Sequence, residues 1–176
     1  MLENHEDEGE SVVLEPDINT IRNWEWVNKT ALLIADPLYG KKRIACGPRS
    51  ILKKQIQKLE KKGYKTSIGA VIDFYIFKET YEKLLEKDSP ISFTSSSKKQ
   101  MMHSSEKQQL FINDIITASI RSGLPLTSIE YGKDEGQLSA QFSATNPLIL
   151  ADTLTLFKKV SNSDNKTMNR LYIKWL

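Results

Sequence analysis

The chain is poor in the residues that build metal fingers and disulfide frameworks. It has one cysteine, Cys46, and two histidines, His5 and His103, in 176 residues. A single thiol closes no internal disulfide, and two histidines in separate polar segments give no zinc spacing. No apolar run approaches the ~20 residues of a membrane span, so a membrane partner is set aside. Residues 1–10 carry five acidic side chains and no Lys or Arg, the reverse of the basic start of a secretory leader. The expected compartment is the cytoplasm, and the sequons at Asn28 and Asn165 read as chance matches. Glycine-rich phosphate loops and a serine nucleophile elbow are also missing.

What is present describes an ordinary globular chain: 39% hydrophobic and 27% charged residues, with a formal charge of +3. The length suits about one domain. The densest basic run, Lys53, Lys54, Lys58, Lys61 and Lys62, is interleaved with Ile51, Leu52, Ile56 and Leu59 at helical spacing. These lysines read as the solvated face of an amphipathic helix. No aromatic residue is interleaved for base stacking, so no nucleic-acid partner is expected.

Local signals alternate between strand and helix. Thr30 to Ala35 is a compact apolar run expected to end at Asp36-Pro37. Helix is expected over 48–62, with Pro48 in the first turn and Gly63 as the stop. Residues 66–77, TSIGAVIDFYIF, read as a buried strand with one acid, Asp73. Residues 78–103 read as a long surface loop. Ser105 and Gln108 resemble a capping box opening a second helix that ends near Gly123. Strands are expected at 126–129 and 138–142 around the turn GKDEG, and Asn146-Pro147 should open a third helix through Phe157.

The order of five short segments is more specific than any one of them. LEPDINTIRNWEW, ALLIADP followed by PRSILKKQIQKLEKKGY, GAVIDFYIF, EGQ at 135–137 and ADTLTLFK at 151–158 resemble, in that order, segments of the glutamine synthetase family. The likeness covers roughly 12–160. It implies an α+β fold, a mixed open sheet with helices on one face. By this reading 1–11 is a disordered acidic tail, 12–47 a remnant of a β-grasp N-terminal domain, 48–160 a partial catalytic domain, and 161–176 a divergent tail.

The family's chemistry, as the resemblance implies it, uses ATP to phosphorylate a glutamate side chain before ammonia displaces phosphate. Mg or Mn ions held by carboxylates would clamp the phosphates. The strand matching GAVIDF resembles a family pattern G-x-E-x-E-F, in which alternation aims both acids at one side. Here those positions are Val71 and Asp73. Valine cannot ligate, and aspartate is one methylene shorter than glutamate. Two residues after the glutamine of EGQ, where the family carries a carboxylate, stands Ser139. An upstream family glutamate falls near Tyr131 or Gly132, with Glu130 one or two residues off register. Asp73 and Glu130 are therefore the vestigial metal candidates, Glu135 reads as a turn residue, and no catalytic residue is assigned. Mg or Mn and ATP are expected to be lost as cofactors.

The aspartate-only strand and ISFTSSSKK are similar to the lengsins, lens relatives of the synthetases regarded as non-enzymatic. The resemblance implies a shortened, non-ligating member with a structural or chaperone-like role. Its expected partners are full-length relatives or intermediate filaments. The alternative is an ATP-dependent glutamate-ammonia ligase, or an inactive fragment of one.

Overall fold

The computed structural model describes residues 11–40, 42–77, 91–93, 106–160 and 172–175. The acidic segment 1–10, most of the expected 78–103 loop and Ser105 lie outside the described residues. The chain divides into two compact units, one of residues 1–22 and 32–66, the other of 23–31 and 67–176.

In the first unit β1 (Val12–Asn23), β2 (Ala31–Tyr39) and β3 (Lys42–Arg43) form a three-stranded sheet in that order, joined by helix α1 (Pro48–Glu60). Pro48 sits in the first helical turn, and Gly63, at φ 82°, takes the left-handed position that stops the helix. β2 continues through Pro37 to Tyr39 instead of ending at Asp36-Pro37. β3 pairs only Leu38 with Arg43 and Tyr39 with Lys42, so Pro37 lies past its end. The Pro37 carbonyl still accepts from Ile44 N at 3.2 Å, so its missing N–H costs one ladder bond at a sheet margin.

α1 buries no side chain and is fastened by charge. Asp36, 3% exposed, accepts from Arg49 at 2.9 Å and Lys53 at 2.6 Å. Arg49 also pairs with Asp17 of β1 at 2.7 Å. Thr20 knits β1 to β2, its hydroxyl donating to Asp17 O and accepting from Ile34 N at 2.8 Å. The PD of β1, the AD of β2 and the R-x-x-x-K of α1 thus form one network.

In the second unit β4 (Ile68–Phe77), β5 (Leu126–Tyr131), β6 (Gln137–Thr145) and β7 (Tyr172–Trp175) lie in the order β5-β6-β4-β7. All three pairings are antiparallel, a correction to the expected mixed directions within an α+β class that stands. Helices α2 (Glu106–Arg121) and α3 (Pro147–Val160) pack on this sheet. The expectation put all three helices on one sheet face, whereas α1 groups with β1–β3.

The core between sheet and helices holds Phe74 and Ile76 of β4, Leu138 and Phe142 of β6, Phe111 and Ile115 of α2, and Leu156 and Phe157 of α3. The Phe157 ring meets Phe142 edge-on at 5.1 Å and Phe74 at 6.2 Å between centroids. Asn146 caps α3 through Oδ1, which accepts from Leu148 N at 2.9 Å. Gln108 donates to Phe93 O at 2.6 Å. Trp24 and Trp26 are buried, and Glu25 N donates to the Ser122 hydroxyl at 3.2 Å. Among the described residues no helix is long and apolar enough to cross a membrane.

Candidate functional site

Strand alternation turns Phe74 and Ile76 of β4 into the core and puts Val71, Asp73 and Tyr75 on the opposite, open face. The registers carry that face across the sheet. Asp73 stands directly opposite Ser139 on β6, and Ser139 directly opposite Glu130 on β5. The three form one lateral row, Asp73–Ser139–Glu130. The row above it holds Val71, Gln141 and Ser128.

This register settles which residue of β5 faces the candidate site. A register shift between Leu126 and Ser128 resets the alternation. Tyr131, the position nearer the family spacing, turns into the core at 7% exposure, while Glu130 is exposed on the open face. Glu135 lies in the β5–β6 turn, as its sequence context suggested.

The polar groups of the row are engaged with one another. The Ser139 hydroxyl donates a hydrogen bond to Asp73 Oδ1, and Glu130 Oε1 accepts from Gln141 Nε2 at 2.9 Å. Val71, 64% exposed, offers the face a branched alkyl group where the resemblance calls for an acid. Asp73 and Glu130 are two strand spacings apart, ~9–10 Å between backbones. To share a Mg²⁺ ion at about 2.0–2.1 Å both side chains would have to turn toward each other over Ser139, and the middle strand offers a hydroxyl in place of a third carboxylate. No group of three or more His, Cys, Asp or Glu placed to hold a metal occurs among the described residues. With Val71 and Ser139 at two positions where the resemblance calls for acids, the row offers a divalent cation two carboxylates, Asp73 and Glu130.

Sequence reasoning missed a second feature of the face. The Tyr75 hydroxyl donates to Asp134 Oδ2 at 2.8 Å, and that bond to a carboxylate raises the phenol pKa above its ordinary value. The turn holding Asp134 is fixed by Gln137, whose Oε1 accepts from Lys133 N at 3.0 Å and Asp134 N at 3.2 Å. Only the GQ motif marked this glutamine, and a tyrosine–aspartate pair 59 residues apart leaves no local signal.

Comparison with known proteins gives the class of the chain. Residues 45–169 match the family described as glutamine synthetase, catalytic domain. The chain belongs to that family. A gamma-glutamylanilide synthase of Acinetobacter sp. is 27% identical over 161 residues, 84% of this chain and 32% of that protein. A gamma-glutamylethanolamide synthetase of Streptomyces coelicolor is 31% identical over 70 residues, 39% of this chain and 15% of that protein. Among solved structures, a GmaS/ADP complex superposes with a TM-score of 0.74 at 17% identity, over 96% of this chain and 38% of the other. A Plasmodium falciparum glutamine synthetase gives 0.69 at 17%, over 98% of this chain and 39% of the other. The chain thus spans well under half the length of the relatives it matches.

Proposed function

We propose that this chain is a glutamine synthetase-family segment that does not perform the ligase reaction and acts through protein contacts in the cytosol, as the lengsin-like β4 strand implies. The observation that carries this reading is the row Asp73–Ser139–Glu130. Its central position has a hydroxyl that occupies the Asp73 carboxylate, and Val71 beside it is apolar. Phosphoryl transfer depends on electrostatic clamping of the phosphates, and loss of such groups typically costs orders of magnitude in rate. Partners would be full-length relatives or filament proteins.

A second reading, part of an ATP-dependent ligase, is favoured by the names of the matched relatives, which are synthetases of gamma-glutamyl compounds. One titration separates the two. Calorimetry of the full chain with Mg²⁺ or Mn²⁺ and ATP should give no saturable heat at millimolar concentration. The variant carrying Val71→Glu, Asp73→Glu and Ser139→Glu should gain saturable cation binding, because ligands of one site act as a unit. Micromolar binding by the parent chain would overturn the non-ligase reading.

A further inference from the structure

Independently of the open sheet face, the C-terminal end of α1 carries a depression of about 470 Å³ lined by Gln55, Lys58, Leu59, Lys61 and Lys62. Arg49 and Lys53, one to two turns earlier, are spent on Asp17 and Asp36. None of Lys58, Lys61 and Lys62 pairs with a carboxylate among the described residues, and Leu59 at the floor is 38% exposed. Three free ammonium groups around an apolar floor suit an occupant with an apolar side chain followed by carboxylates. The lining has no aromatic ring and no guanidinium, which argues against a nucleic-acid strand.

We propose that this depression docks the chain's own first ten residues, MLENHEDEGE. That segment has the complementary chemistry: Met1 and Leu2 are apolar, Glu3, Glu6, Asp7, Glu8 and Glu10 follow, and there is no Lys or Arg. Its reach is sufficient. Asp17 lies 3.5 Å from Lys53. Extended backbone from Asp17 back to Ser11 covers ~20 Å. The helix from Lys53 to Lys61 rises ~12 Å. Ten extended residues span ~33–36 Å, enough even if strand and helix diverge. Docking places carboxylates of this segment beside lysines that otherwise repel one another, so it is salt-sensitive.

The test compares the full chain with a variant carrying E3Q, E6Q, D7N and E8Q, changes that leave the described fold untouched. Acylation of Lys58, Lys61 and Lys62 by a small amine-reactive ester is followed by peptide mass spectrometry, with Lys54 as internal reference. The parent should label at these lysines about threefold or more slowly than the variant, with the protection lost in 0.5 M salt and unchanged on tenfold dilution. Equal labelling in both chains overturns the proposal. Protection that vanishes on dilution assigns the depression to a second copy and overturns it too. Saturable binding of a single-stranded oligonucleotide that protects the lysines equally in both chains assigns the depression to a polyanion and likewise overturns the proposal.

Discussion

In the unit built on β1–β3, α1 buries none of its side chains and is held by Asp17, Asp36, Arg49 and Lys53. In the unit built on β4–β7, α2 and α3 press Phe111, Ile115, Leu156 and Phe157 onto the sheet. The contrast separates two ways of fixing a helix. Apolar packing is nondirectional, and its strength follows buried area. Ion pairing is directional, depends on protonation, and leaves uncompensated charge behind when one partner is removed. The two units should therefore answer differently to a cavity, to acid and to salt. Buried Trp24 and Trp26 report the second unit, and amide exchange over Pro48–Glu60 reports the first.

The largest effect expected is from Phe157→Ala. The ring is 2% exposed between Phe74 and Phe142, so its loss leaves a cavity that helix and sheet cannot both close. The cost should be ~3–5 kcal/mol, seen as earlier denaturant unfolding by tryptophan fluorescence. Equal loss of exchange protection over α1 would show that the units unfold as one.

Next comes Asp36→Ala, which strips Arg49 and Lys53 of their shared partner and should cost ~3 kcal/mol in protection of α1 with little change in tryptophan emission. Acid should do the same without mutation. Hydrogen bonding to Arg49 holds the Asp17 carboxyl below its ordinary range. Burial pushes Asp36 up, but Lys53 and Arg49 outweigh it and the net direction is also down. Both folded pKa values therefore lie below the ordinary 3.8, so their stabilisation is complete above that pH and lost as pH falls through the lowered folded values. Exchange over α1 should accelerate in that window before the tryptophan signal moves.

Much of the second unit is legible in the sequence because its boundary residues and its periodicity agree. Pro147 and Gly123 mark helix limits, and alternation in GAVIDFYIF separates Phe74 and Ile76 from Val71 and Asp73. β1 is harder to see. Its twelve residues include Pro16 and Asp17, and it lies at a sheet edge with both faces largely exposed, so no alternation marks it. β7, Tyr172–Trp175, falls inside what reads as a divergent tail, because four residues acquire strand identity only by pairing with Phe74–Phe77. At the candidate site, residue types show Val71 and Ser139 where the resemblance calls for acids. Which residue of β5 faces Ser139 is set by the shift between Leu126 and Ser128, a tertiary fact that spacing alone does not encode.

The smallest effect is expected where the second unit relies on polar contacts, as the first does. Gln137 Oε1 holds the amides of Lys133 and Asp134, and Gly132 lies so close that an added Cβ would crowd the Gln137 side chain. Gln137→Ala removes two solvent-accessible hydrogen bonds and should cost no more than ~1 kcal/mol. Its specific consequence is at Tyr75, whose phenol is held above the ordinary value first of all by the hydrogen bond to Asp134. A turn released from Gln137 presents Asp134 less often, so the Tyr75 pKa should fall toward the ordinary 10.0, and Asp134→Asn should lower it too. Ultraviolet titration of the phenolate, referenced to a Tyr75→Phe chain, reads this directly. A titration unchanged by Gln137→Ala but shifted by Asp134→Asn would show that the turn holds its shape through Gly132 N to Gln137 O and Gln137 N to Asp134 O alone. The glutamine of the GQ motif would then have no part in fixing the open face.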